Sequence, residues 1–167
     1  MRGWDKTWQD RMPEHTLSKE FDDVAHAAIA EGALDVPHLL VIDDDDLHRT
    51  IICRAAAKAG YFPVPATGFD DAIRMTRERN FACITLDISL GAHVGAELLR
   101  ELSTMACKTP IIIVSGCDDL MCRETAKLAK LLGLNVADAI PKPVDLAVLR
   151  AALERILVQR AAMAAPP

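Results

Sequence analysis

Leu39-Leu40-Val41-Ile42-Asp43-Asp44-Asp45-Asp46 is the stretch that decides the fold. Four apolar residues, two of them β-branched, have the length of a buried strand, and the chain turns abruptly acidic where they end. A strand that reads as a continuous apolar run is buried on both faces, as in a parallel sheet covered by helices. The reading places a strand over His38–Ile42 and delivers Asp43 and Asp44 at its carboxyl end.

The same change repeats downstream. Strands are expected over residues 62–65, 81–86, 110–114 and 136–140. Pro63 and Pro65 demote the second to a sheet edge, because proline cannot donate to a ladder. Between strands the period becomes helical. Leu47, Ile51, Ala55 and Ala59 fall on one face of a helix over 47–59, stopped by Gly60. Asp46 is its expected N-cap, with Asp45 facing solvent. Phe69, Ala72, Ile73 and Thr76 mark a second helix, and Leu98, Leu99 and Leu102 a third over 95–105. A fourth runs over 118–132, capped by Asp118 and Asp119 and stopped at Gly133. A fifth starts at its cap, Asp145, and runs to about Gln159.

Five strand–helix units in strict alternation imply an α/β fold: a five-stranded parallel sheet, doubly wound by helices on both faces. Residues 37–160 make up this domain. Residues 1–36 form an N-terminal extension with a helix carrying Leu17, Phe21, Val24 and Ala28 on one face, capped by Ser18. Residues 161–167 read as a loose tail.

The ends of the strands carry the chemistry. Asp43 and Asp44 end the first, Asp87 the third and Ser115 the fourth, and the fifth runs into Lys142-Pro143. In an open parallel sheet these positions share the carboxyl edge, where ligands bind at the switch in strand order. The flavodoxin-like order 2-1-3-4-5 makes the first and third strands neighbours, so the three carboxylates converge. Carboxylates packed together repel and favour a cation, and oxygen-only ligation selects a hard ion such as Mg²⁺. A carboxylate can also attack phosphorus to form an aspartyl phosphate. The transferred group then needs counter-charge, from Mg²⁺ and from a cation such as Lys142. The Ser115 hydroxyl can donate to a phosphoryl oxygen.

These motifs, Val41-Ile42-Asp43-Asp44, Asp87 with Gly95 eight residues on, Ile113-Val114-Ser115-Gly116 and Pro141-Lys142-Pro143, resemble the response-regulator receiver domain of two-component signalling. The resemblance covers residues 38–159 in order and spacing. It implies that Asp87 is the phosphoacceptor and that Asp43, Asp44 and Asp87 hold Mg²⁺ together with the backbone carbonyl of Ser89. Ser115 is then the switch hydroxyl, Lys142 the phosphoryl partner, and the Lys142–Pro143 bond is cis. The phosphoryl donor is a histidine kinase or a phosphotransfer protein. Two positions depart from the family pattern: Gly91 stands where proline is usual, four residues after the acceptor, and Ala139 where the aromatic switch residue is usual, three before the lysine.

Composition narrows the alternatives. The chain has 167 residues, 51% apolar and 26% charged, enough for one domain with a true core. A net charge of −5 without a basic stripe argues against a nucleic-acid partner. No apolar run approaches the ~20 residues of a membrane span, and no leader pattern stands at the start, so a cytoplasmic protein is expected. Five cysteines without a C-x-x-C pair suggest reduced thiols rather than a disulfide framework. His48 and His93 read as surface histidines. With no effector-like stretch after Gln159, a single-domain regulator is expected, acting through contact with a downstream protein, with a second copy of the chain in a homodimer as a further candidate partner. Two alternatives compete. One is a degenerate receiver that binds a partner without phosphorylation. The other is a phosphatase resembling the haloacid dehalogenase group, with Asp43-x-Asp45 as its nucleophile motif.

Overall fold

A computed structural model of the chain describes residues 36–90, 93–116 and 119–164. The helix expected in residues 1–36, Gly91 and the Asp118 cap lie outside the described residues. Five parallel strands form one sheet: β1 (His38–Ile42), β2 (Phe62–Ala66), β3 (Cys83–Asp87), β6 (Ile111–Ser115) and β7 (Val136–Pro141), in the order β2-β1-β3-β6-β7. Counting only sheet strands, this is the expected 2-1-3-4-5. The helices are α1 (Asp46–Lys58), α2 (Phe69–Glu78), α3 (Gly95–Thr104), α4 (Asp119–Leu131) and α5 (Leu146–Ala164).

Both faces of the sheet are covered. Leu39, Val41, Cys83, Ile112 and Val114 pack with Ile52, Cys53 and Ala56 of α1 and with Leu149, Leu153 and Ile156 of α5. Leu40, Ile42, Ile84, Leu86 and Ile113 alternate with them along the strands and are equally buried. Leu98, Leu99 and Leu102 of α3 are wholly buried as well. The Tyr61 hydroxyl donates to the Leu153 carbonyl at 3.0 Å, so a polar tip buried in this core has its partner.

β2 is the edge strand, as its prolines require. The Phe62 N–H donates across to the Pro37 carbonyl at 2.9 Å. Alternate residues share that direction, so the missing N–H groups of Pro63 and Pro65 fall on the open side.

Four local expectations change. The N-cap of α1 is Asp45, whose Oδ1 accepts from the His48 N–H at 2.8 Å, not Asp46. The buried face of α1 is Ile52, Cys53, Ala55 and Ala56, and Leu47 is 67% exposed. A short antiparallel hairpin, β4 (Ser89–Leu90) and β5 (His93–Val94), stands where a loop was expected after Asp87. Helix α5 continues through Ala164, so the tail expected to be loose from Ala161 is helical that far. Its Ala-Ala-Met-Ala ending is made of strong helix formers.

Gly95 fixes the close of that hairpin. Its N–H donates to the Ile88 carbonyl at 2.9 Å. A Cβ on Gly95 would lie 2.7 Å from the Ile88 Cα and 2.9 Å from its carbonyl oxygen, backbone atoms that cannot swing aside. Alanine would favour the helix by up to ~1 kcal/mol, but the clash outweighs that gain. Gly95→Ala is expected to lower unfolding free energy by about 1–3 kcal/mol, read from the midpoint of urea denaturation.

Candidate functional site

Strand register brings the predicted residues level. Ile42 of β1 pairs with Leu86 of β3, so Asp43 and Asp87 are the next residues of adjacent strands. Asp87 itself pairs with Val114, which places Ser115 one step further along β6, and Ser115 pairs with Pro141, the residue before Lys142. Asp43, Asp87 and Ser115 are buried, while Asp44 is exposed at the rim. One carboxylate oxygen from each of Asp43, Asp44 and Asp87 lies within 4.8 Å of the others.

Lys142 follows the end of β7, beside the end of β6. Its Nζ donates to Asp87 Oδ2 at 2.7 Å and to Asp43 Oδ2 at 3.0 Å, with its side chain only 12% exposed. The Lys142 N–H donates to the Ser115 carbonyl at 2.7 Å, which ties the lysine to the end of β6. The Lys142–Pro143 bond is cis, as the resemblance implied. Asp43 Oδ1 accepts from the Asp45 N–H at 2.9 Å, and Arg49 donates to the Asp43 carbonyl at 2.7 Å. The loop carrying the acids is therefore braced from α1, where Arg49 also pairs with Asp46.

The electrostatics follow from the packing. Burial pushes the Asp43 carboxyl up from its ordinary value, and Asp87 adds to the rise; Lys142 and the Asp45 N–H offset only part of it. Burial alone would lower the Lys142 pKa, but its bonds to Asp87 and Asp43 outweigh burial and raise it. The site is thus an acidic pocket short of positive charge, with one ammonium bridging two of its three carboxylates. Its donors toward a cation are all oxygen, which fits a hard ion such as Mg²⁺.

Some expectations land differently. Ser89 lies in β4, two residues past Asp87. The Ile88 carbonyl is already engaged by the Gly95 N–H, which leaves Ser89 the better candidate for lending a carbonyl. Ala139 pairs with Ile113 inside β7, and no aromatic side chain occupies that position. His48, expected on the surface, is half-exposed and brings its Nδ1 to 3.2 Å from Lys142 Nζ. The sequence places His48 at the start of the first helix, near the pocket, but gives no sign of its contact with Lys142. The side chain of His93 lies outside the described residues. Cys53 and Cys83 are buried free thiols, and burial pushes the Cys53 thiol up to about 12, which makes it inert. Among the described residues no helix is long and apolar enough to cross a membrane.

Known proteins resemble this chain in sequence and fold. Residues 39–154 match the family described as the response regulator receiver domain. The chain is 29% identical over 119 residues to the transcriptional regulatory protein ZraR of Escherichia coli O157:H7, which covers 71% of this chain and 26% of that protein. It is 28% identical over 109 residues to the protein PetR of Rhodobacter capsulatus, 65% of this chain and 44% of that one. The chain thus spans about a quarter to a half of the length of these curated relatives. A response regulator from Burkholderia pseudomallei, solved with a phosphorylated aspartic acid and a calcium ion, superposes with a TM-score of 0.61 at 26% identity, covering 77% of this chain and 73% of that one. The receiver domain of the Francisella response regulator 1452 superposes with a TM-score of 0.65 at 23% identity, covering 74% of this chain and 98% of that one, and supports the fold. With the family pattern spanning most of the chain and the acids, hydroxyl and lysine gathered at one sheet edge, the chain belongs to the response regulator receiver domain family, the phosphoryl-accepting domain of two-component signalling.

Proposed function

We propose that this chain is a phosphorylation-controlled switch whose acceptor is Asp87. The observation that carries the reading is the Lys142 ammonium bridging Asp43 and Asp87, with Asp44 at the rim of the same pocket. An Asp87 oxygen forms the new P–O bond as the P–N bond of a phosphohistidine donor breaks and the imidazole leaves with a proton. Mg²⁺, held by Asp43, Asp44, Asp87 and the Ser89 carbonyl, supplies counter-charge to the phosphoryl oxygens when bound. Lys142 donates to one phosphoryl oxygen and Ser115 donates its hydroxyl to another. The donor protein is a histidine kinase or a phosphotransfer protein.

The added charge, about −1.5 to −2, then shifts the surface around the site, and output follows by contact with a downstream protein or a second copy of the chain. The relatives named as transcriptional regulators match over a fraction of their length, and the matched part is this receiver fold. The net charge of −5, without a basic stripe, favours a protein rather than a nucleic acid as the target of this domain. The absence of a membrane-length helix among the described residues fits a cytoplasmic setting.

Ala139 favours a second reading, a receiver that binds its partner without phosphorylation, because the usual aromatic is missing from β7. The phosphatase alternative fits less well, since Asp45 Oδ1 is occupied as the cap of α1. Incubation with acetyl phosphate and Mg²⁺ separates the three. Uptake of one phosphoryl group, labile in alkali, supports the switch. No uptake supports the binding module. Steady turnover of a phosphomonoester that Asp43→Asn abolishes supports the phosphatase.

Asp44→Asn tests the metal assignment. Asp44 is exposed, so the fold is expected to keep its melting temperature within a few degrees. Removing one of three ligand carboxylates is expected to weaken Mg²⁺ binding about tenfold or more, measured by calorimetric titration.

A further inference from the structure

We infer that His48 is a positioning residue for Lys142, an imidazole that holds the ammonium in place while its other two partners are drawn into the reaction. The inference rests on the switch reading above and extends it to a residue outside the acid, hydroxyl and lysine set.

An ammonium has three N–H donors and no acceptor. Three acceptors lie around Lys142 Nζ: Asp87 Oδ2 at 2.7 Å, Asp43 Oδ2 at 3.0 Å and His48 Nδ1 at 3.2 Å. Nζ can only donate, so the contact is a hydrogen bond in the tautomer that leaves Nδ1 free to accept; the same Nδ1 lies 3.7 Å from Asp45 Oδ1. The backbone that carries the ring is fixed, since the His48 N–H donates to Asp45 Oδ1 at 2.8 Å in the first turn of α1.

The three partners differ in what the reaction does to them. Asp87 loses a carboxylate oxygen to the new acyl phosphate. Asp43 is a metal ligand in the proposed state, and its charge is then shared with the cation. His48 is neither the phosphoacceptor nor a proposed metal ligand, so its bond to Nζ survives both changes. It keeps the ammonium over Asp87 when the carboxylate bonds weaken, so that Nζ meets the phosphoryl oxygen without first being re-ordered. The bond is neutral and single, so its loss is modest beside the loss of the lysine itself.

The rate of phosphorylation by acetyl phosphate at saturating Mg²⁺ tests this. His48→Ala is expected to slow it about fivefold, the scale of one neutral hydrogen bond. His48→Asn, whose amide oxygen reaches the place of Nδ1, is expected to recover most of the rate. In a Lys142→Ala background the His48→Ala change is expected to have no further effect, because the imidazole acts through the lysine. A structural role for His48 would give additive losses and no recovery by asparagine. An unchanged rate in His48→Ala, an asparagine variant no faster than alanine, or a full fivefold effect without Lys142 each overturns the inference while leaving the switch reading intact. A wild-type chain that takes up no phosphoryl group overturns both.

Discussion

Lys142→Ala is expected to slow phosphorylation of Asp87 from acetyl phosphate by about 10²–10³-fold, the scale for removing a preorganised charged donor from a reacting centre. The same change is expected to lower the stability of the metal-free protein by about 3 kcal/mol. Both effects come from one geometry. The ammonium sits 2.7 Å from Asp87 and 3.0 Å from Asp43, and its side chain is largely buried. The Lys142 pKa is raised by these partners, so its charged form contributes stability at neutral pH that is lost only as pH rises through that raised value. Without it, two buried carboxylates face each other across the pocket with no counter-charge. A cation would then relieve more repulsion than in the wild type. Added Mg²⁺ should therefore raise the melting temperature of Lys142→Ala by more than that of the wild type. Equal shifts would show that the lysine does not offset the acids.

Asp43→Asn has the opposite sign on stability and a large effect on the metal. Burial, with Asp87 adding to it, holds the Asp43 carboxyl above its ordinary value of 3.8. A folded-state pKa raised above the unfolded value means that ionising the group costs the fold. Stability therefore falls as pH rises from the ordinary value through the raised one, and the cost persists at neutral pH. The neutral amide removes that cost while Lys142 keeps Asp87 and His48. Without metal, the variant is expected to melt no lower than wild type at neutral pH, with a flatter pH dependence across the acid range. Its affinity for Mg²⁺ should fall about 100-fold, because it loses the most buried of the three carboxylates. Thermal melts from pH 4 to 8 and calorimetric Mg²⁺ titrations read the two effects separately.

Much of the fold was legible because apolar strands buried on both faces are continuous in sequence and end sharply. The run ending at Asp43 showed the first strand to the residue, and the prolines at 63 and 65 showed the edge. The gathering of Asp43, Asp44, Asp87, Ser115 and Lys142 at one sheet edge followed from strand order alone, since adjacent parallel strands put their carboxyl ends side by side. The phase of α1 was not legible. Four consecutive aspartates offered several caps, and Ala55-Ala56-Ala57 gives no apolar contrast between neighbouring faces. One residue of error turns a helix by about 100°, enough to place Leu47 inside on paper and outside in fact. The same uncertainty of phase left His48 near the pocket but read as a surface residue, because its approach to Lys142 depends on where the first turn of α1 points. The hairpin after Asp87 has two-residue strands, too short for any alternation to register.

Phosphoryl transfer to Asp87 is the step on which the proposed switch depends. Its most direct test is intact-mass and peptide mapping of the chain after incubation with acetyl phosphate and Mg²⁺, with borohydride used to trap the acyl phosphate. One trapped modification at Asp87, absent from Asp87→Asn, is the predicted result. No modification of the wild type, or one that persists in Asp87→Asn, would contradict it.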